Sequence, residues 1–285
     1  MHLFLKTYMF TMKKLIVAVF LLMLGSKGEA QYFYLDVIGT QQTNDQYKKI
    51  TLHNLNSISA TSFEQNSQPI TDFVLEQTIG KNQIITRSSS INSKESFFTS
   101  YYDNQLLVKT IDSNSSAINT VIYQYNGQGK LLSSTSSNKD FDGTFDQSEV
   151  HQWAYDNVGR PLNMLKIKNN ADTTFIEFNK DEAGNVIEEN WKKNNRIIET
   201  YYYYYNSKNK LTDIVRYNRK ARQMLPDIMF EYDATGLVSQ MIQTQGTSAN
   251  YLIWRYVYNN KGLKEKEFAF NKKKELLGKI EYAYR

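Results

Sequence analysis

The sequence predicts an all-β protein: an antiparallel meander of repeated β-hairpins forming a twisted or curled single-layer sheet. Segments of one form recur at a nearly constant interval through the second half of the chain. The residues around each segment alternate as half-buried strands do. The composition agrees, with 21 Tyr and 15 Phe against 3 Trp, because Tyr and Phe fit pleated surfaces.

The recurring segments are YQYNGQGKL from Tyr123, WAYDNVGRP from Trp153, FNKDEAGNV from Phe178, YYYNSKNKL from Tyr203, FEYDATGLV from Phe230 and YVYNNKGLK from Tyr256. Their shared form is aromatic-x-aromatic, Asp or Asn, two free positions, Gly, then a polar and an apolar residue. The turn residues are Gly129, Gly159, Gly184, Asn209, Gly236 and Gly262, spaced by 30, 25, 25, 27 and 26 positions. A weaker copy, FAFNKKKEL from Phe268, follows at about half that interval. Each period is therefore expected to hold two strands and two turns.

Each position has a physical reason. Asp and Asn start turns by accepting hydrogen bonds from their own backbone two residues on. Gly three positions later takes a left-handed conformation without a Cβ clash. Asn209 is the next best residue for it, while Lys180 and Lys274 depart from the pattern. Trp254, Tyr256 and Tyr258 share one strand face, as do His151, Trp153 and Tyr155. The aromatic pair before each turn is thus expected to form the core stripe. The run Tyr201 to Tyr205 must put rings on both faces, some of them wet.

This form resembles the YD repeat of the RHS family, a Tyr-Asp, two residues, then Gly-Arg-Leu. Tyr155-Asp156-Asn157-Val158-Gly159-Arg160 is the most similar copy, with Pro161 where the apolar residue is expected and Leu162 after it. The resemblance covers residues 119–285, the expected repeat domain. In the N-terminal β region, residues 31–118, Tyr102-Asp103-Asn104-Gln105-Leu106 is a shortened relative. The resemblance implies a long winding sheet of hairpins, which in large members curls into a shell around a toxin. The chain is expected to be too short to close such a shell and to carry no toxin after its repeats. Within the N-terminal region, Ile70 to Arg87 reads as two strands around Gly80-Lys81-Asn82. Ser88-Ser89-Ser90 and Ser113 to Ser116 read as loops.

Residues 1–30 read as a secretory signal peptide. Met12-Lys13-Lys14 precedes the apolar run Leu15 to Leu24, and Gly28 and Ala30 supply small residues before a cut after Ala30. The expected location is secreted or periplasmic. The basic balance is partly this segment's doing. Residues 1–30 hold Lys6, Lys13, Lys14 and Lys27 against Glu29, so of 34 basic and 29 acidic residues 30 and 28 remain, a net charge of +2. That excludes an argument for nucleic acid or an anionic membrane from net charge, and membrane insertion after cleavage is not expected. Lysines at 264, 266, 272–274 and 279 read as a solvated edge that discourages aggregation. With no Cys, an exported fold must rest on its core, on bound ions, or on both.

One stretch points to an ion. Residues 138–149 read NKDFDGTFDQSE, which matches the D-x-[DN]-x-[DN]-G-x5-E calcium loop except for Asn at its first position. The expected oxygen ligands of a structural Ca²⁺ are Asn138, Asp140, Asp142, the Thr144 carbonyl, Asp146 and Glu149. Gly143 allows the sharp turn. The flanks alternate or are Ser-rich, so the loop is expected between strands.

For catalysis the sequence offers little. Beyond residue 30 it has His53 and His151, and no two-His metal motif, phosphate loop or nucleophile elbow. His151 shares a face with Trp153 and reads as a packed core residue. Pairs such as Glu188-Glu189 do not by themselves make a glycosidase. The expectation is a non-enzymatic binding or scaffold module of the cell envelope or exterior, with a protein or glycan ligand. The alternatives are a glycan-binding module or carbohydrate-active enzyme, and a part of an RHS-like delivery system.

Overall fold

A computed structural model describes residues 32–91, 93–114, 116–142, 146–244 and 250–285. The expected signal segment and Thr144 lie outside the described residues.

Each repeat turn has one construction. In the turn from Asp156, the Asp side chain accepts the backbone N–H of Val158 and of Arg160. The Gly159 N–H returns to the Asp156 carbonyl, and the Asp156 N–H reaches the Arg160 carbonyl. Turns from Asn126, Asn206, Asp233, Asn259 and Asn271 repeat this pattern. The fourth residue is left-handed in each, with φ of 78° at Gly159, 83° at Gly236 and 55° at Asn209. Lys274 adopts φ 63° in its weaker copy, so the backbone keeps the turn where the sequence departs from it.

The strands between the turns are β1 (Ser57–Phe63), β2 (Phe73–Gly80), β3 (Gln83–Ser90), β4 (Ser93–Asp103), β5 (Leu106–Ser113), β6 (Ala117–Tyr125), β7 (Leu131–Asp140), β8 (Asp146–Tyr155) and β9 (Pro161–Lys168). They continue as β10 (Asp172–Lys180), β11 (Val186–Lys193), β12 (Arg196–Tyr205), β13 (Leu211–Asn218), β14 (Gln223–Tyr232), β15 (Val238–Thr244), β16 (Tyr251–Tyr258), β17 (Lys264–Phe270) and β18 (Leu276–Tyr284). Each pairs antiparallel with its neighbours in sequence, as a meander requires.

The sheet does not stay open. β1 pairs with β18 from Ile58↔Tyr284 to Phe63↔Lys279, closing an 18-stranded barrel. The antiparallel meander is as expected, and the expectation of a twisted or curled sheet is corrected to a closed barrel. β1 and β18 each bury alternate residues, Ile58 and Ser62 in one, Ile280 and Tyr282 in the other, so their pairing continues one inner face around the ring. Closure leaves no unpaired edge among the described strands.

Residues 33–52, expected within a β region, form a helix, α1 (Phe33–Leu52). It lies in the bore. Its start meets β8, β11 and β12, and its end meets β4 and β5, in a separate arc of the ring. No apolar stripe announces α1, because its buried face includes Gly39, Thr40 and Asn44. The two strands read around residues 80–82 are β2 and β3, but Ser88–Ser90 belong to β3 instead of a loop.

The turns alternate between two rims. The Asp/Asn-x-x-Gly turns after β6, β8, β10, β14 and β16 and the Asn206–Asn209 turn after β12 share one rim. This is the helix-side rim, where Lys49 of α1 donates to the Gly262 carbonyl at 3.3 Å. The connections after β1, β3, β5, β7, β9, β11, β13, β15 and β17 form the far rim.

Candidate functional site

The aromatic pairs are the core, as expected. Tyr123, Trp153, Phe178, Tyr201 and Tyr203 are buried inside, whereas Tyr204 is 52% exposed on the outer face. The register slips by one residue just before most repeat turns, for example between Tyr204 and Tyr205 and between Glu231 and Tyr232. Such a bulge re-aims the next side chain. The second tyrosine then reaches the preceding hairpin. The hydroxyl of Tyr125 donates to the Leu107 carbonyl, Tyr155 to Leu131, Tyr205 to Val186, Tyr232 to Leu211 and Tyr258 to Val238, at 2.6–2.9 Å. In each case the acceptor stands two residues after the left-handed turn residue. Lys180 holds this tyrosine position in its copy and instead pairs with Asp156 of the preceding turn at 2.8 Å.

The bore is organised around the start of α1. A helix leaves its first backbone N–H groups without partners. Here Glu189 of β11, fully buried, supplies them: its two carboxylate oxygens accept the N–H of Phe33 at 3.1 Å and of Tyr34 at 3.0 Å. The same carboxylate accepts the Trp191 Nε1–H at 2.7 Å and the Tyr203 hydroxyl at 2.6 Å. Burial pushes the Glu189 carboxyl up from its ordinary range, against the pull of these four donors. Next to it, the Tyr32 hydroxyl donates to Asp227 at 2.8 Å, and Asp227 pairs with Arg216 at 2.6 Å.

One turn further, Asp36 of α1 meets His151. His151 Nδ1 stands 3.1 Å from Asp36 Oδ2, and Nε2 stands 2.8 Å from Glu149 Oε1. Lys166 pairs with the other Glu149 oxygen at 3.1 Å and lies over the Phe33 ring. Burial lowers the His151 pKa, but acceptors on both ring nitrogens outweigh it and the net shift is upward. Glu149 is also partly desolvated, yet His151 and Lys166 hold its pKa down at about 2. Further along α1, Asn44 accepts the Leu107 N–H at 2.8 Å, and Tyr47 stacks on Tyr102 at 3.6 Å. His151 is the buried residue the sequence suggested. Its partner Glu149 lies two residues back on the same face, whereas Asp36, 115 positions away, was not legible as a partner.

The expected calcium residues belong to one hairpin on the far rim. Asn138 and Asp140 end β7, Asp142 lies in the turn, and Asp146 and Glu149 are on β8. The pairings Lys139↔Asp146 and Ser136↔Glu149 put Asn138, Asp140 and Glu149 on the inner face and Asp146 on the outer. Asp146 pairs with Lys139 at 3.2 Å, and Glu149 is engaged by His151 and Lys166. Among the described residues no group of three or more His, Cys, Asp or Glu side chains is gathered for a metal.

A second surface feature lies on the outer face of β12–β14, beside the far rim. A groove of about 330 Å³ is lined by Ile197, Ile198, Glu199, Thr200, Tyr202, Tyr217, Arg219 and Met224.

No known family's profile matches the chain, and no curated protein matches it. Among solved structures, a porin-like protein from Bacteroides uniformis is 12% identical with a TM-score of 0.39, over 81% of this chain and 98% of that one. A porin-like protein from Bacteroides vulgatus is 12% identical with a TM-score of 0.31 over the same shares. The TcdB2-TccC3-Cdc42 structure is 11% identical with a TM-score of 0.34, over 75% of this chain and 12% of that one. At these scores the architecture rests on this chain's own strand pairing.

Proposed function

We propose that the chain is an exported, non-catalytic binding or scaffold protein of the cell envelope or exterior, built on degenerate relatives of the RHS/YD repeat. The observation that carries this reading is how four ionisable groups of the bore are used. Glu189, Asp227, Glu149 and His151 are taken up in holding α1 in place. A barrel plugged this way offers its rims and outer face to partners. The repeated tyrosine bridge between hairpins supports kinship with YD repeats, because it gives the Tyr before the Asp or Asn a structural reason.

The outer face also supports a water-exposed setting. Arg87 pairs there with Glu76 at 3.0 Å and Glu95 at 2.8 Å, where a lipid-facing barrel would carry an apolar band. Among the described residues no helix is long and apolar enough to cross a membrane. A glycan ligand is the second reading, favoured by Tyr202, Tyr204 and Tyr217, which share the outer face of β12 and β13. A structural Ca²⁺ in the β7–β8 hairpin stays part of the proposal, and binding there requires Asp146 to leave Lys139 and Glu149 to leave His151 and Lys166.

The test is a glycan array and a pull-down with the chain from residue 31. A saturable protein or glycan partner supports the reading. Turnover of any substrate that is lost on altering a bore carboxylate, with the fold kept, overturns it.

A further inference from the structure

The net charge of the chain hides a segregation that only the ring reveals. On the far rim, Arg196 opens β12, the connection after β13 carries Arg219, Lys220 and Arg222, and the connection after β17 carries the run 272–274 of three lysines beside Glu275. None of these forms an ion pair among the described residues, and all are exposed. Lys193 in the same arc is neutralised by Asp172 at 2.7 Å. The other half of this rim, from β1 to β8, carries Glu64, Asp72, Asp112, Asp140, Asp142 and Asp146 against Lys94 and Lys139. At about 4.8 Å per strand, the basic half from β9 to β18 runs along an arc of about 40 Å. It is a long edge, not a pocket.

Apolar residues crowd the same edge. Ile197 is 57% exposed, Ile198 41% and Met224 43%. They flank the groove of about 330 Å³ on β12–β14 and adjoin Arg196, Arg219 and Arg222. Exposed apolar side chains ringed by unpaired basic ones suit an interface where phosphates lie above acyl chains.

We propose that the basic half of the far rim docks peripherally on an anionic lipid surface, with Arg196, Arg219, Lys220, Arg222 and the 272–274 lysines against headgroup phosphates and Ile197, Ile198 and Met224 dipping below them. This rests on the exported binding reading for the compartment in which such a surface is met. The assay with purified protein tests the contact whether or not another partner exists. Unlike a spanning barrel, a protein bound this way leaves at high salt, because the attraction is screened.

The experiment is sedimentation with vesicles of phosphatidylcholine alone and of phosphatidylcholine with phosphatidylglycerol. Binding is expected only to the anionic vesicles, and 0.5 M NaCl is expected to release it. A variant with Arg219→Glu, Lys220→Glu and Arg222→Glu is expected to bind at least about 100-fold more weakly. A second variant reversing the 272–274 lysines is expected to lose binding as well. A control with Lys130→Glu, Lys208→Glu and Lys261→Glu on the helix-side rim, with the same net charge, is expected to bind as the parent does. Circular dichroism verifies that each variant is folded. Equal losses in the control, equal binding to neutral vesicles, or no binding to anionic vesicles overturns the proposal. So does binding to soluble polyphosphate that vesicles cannot compete, which would make the partner a polyanionic chain.

Discussion

The two rims of the barrel are built differently. On the helix-side rim the turns after β6, β8, β12, β14 and β16 are one device, an Asp or Asn accepting two backbone N–H groups and a left-handed residue closing the loop, which the far rim shares at Asn271. Tyrosine hydroxyls tie successive hairpins together there, and α1 fills the bore beside them. On the far rim the connections differ in length and chemistry, from the tight Asn194-Asn195 turn to the acidic β7–β8 hairpin. Uniform turns serve the core, where each hairpin must present its aromatics at one height. Varied turns cost the core little, so charge can be distributed on them.

The sharpest break in the comparison is at Glu189. Glu189→Ala strips partners from two helix N–H groups, an indole N–H and a phenol at once. The expected loss is about 3–5 kcal/mol in a denaturant titration. A loss under about 1 kcal/mol would mean that α1 is not anchored there.

Turn glycines come next. Gly159→Val and Gly236→Val place a β-branched residue at φ 78° and 83°, and each is expected to cost at least about 1–2 kcal/mol. Lys274→Gly, which relieves a left-handed Lys on the far rim, is expected to stabilise by up to about 1 kcal/mol. Melting temperatures decide both.

The tyrosine bridges predict a smaller contrast. Tyr232→Phe removes the donor to the Leu211 carbonyl and is expected to cost about 1 kcal/mol. Tyr217→Phe, beside the far rim and half exposed, is expected to leave the melting temperature unchanged. Equal effects would show that the bridges add nothing to the repeat.

The ionic latch on α1 sets a pH window. His151 has a raised pKa in the fold, so its contribution is complete below the ordinary histidine value and is lost as pH rises through the raised one. Glu149 is held down at about 2, so its contribution is present above the ordinary glutamate value and is lost as pH falls towards 2. Stability from this latch is therefore expected to peak between about pH 4.5 and 6.5. In His151→Phe the pH dependence of melting is expected to flatten on the alkaline side, and an unchanged profile would remove His151 from the latch.

The last contrast concerns calcium. Calcium at ten times the dissociation constant stabilises by about 1.4 kcal/mol if it binds only the fold, less whatever it costs to release Asp146 from Lys139 and Glu149 from His151 and Lys166. A rise in melting temperature that disappears in Asp142→Ala is the expected outcome. No heat and no shift at millimolar calcium leaves the hairpin an acidic turn.

What the sequence determined by itself is local. The turn at each Asp or Asn, the left-handed residue three positions on and the inward aromatic stripe follow from backbone sterics and alternation, and these act within a few residues. Tertiary structure alone decided what joins distant residues. Closure depends on β1 matching β18, more than 200 positions away. The helix was hidden because its partners are carboxylates and tyrosines of the bore, so it needs no apolar stripe of its own. The tyrosine bridges needed the bulges, which shift register without changing composition. Of the basic half-rim only the 272–274 lysines stood out along the chain, because charges that nearly cancel in sequence are sorted only when alternate turns are gathered onto one end of a closed ring.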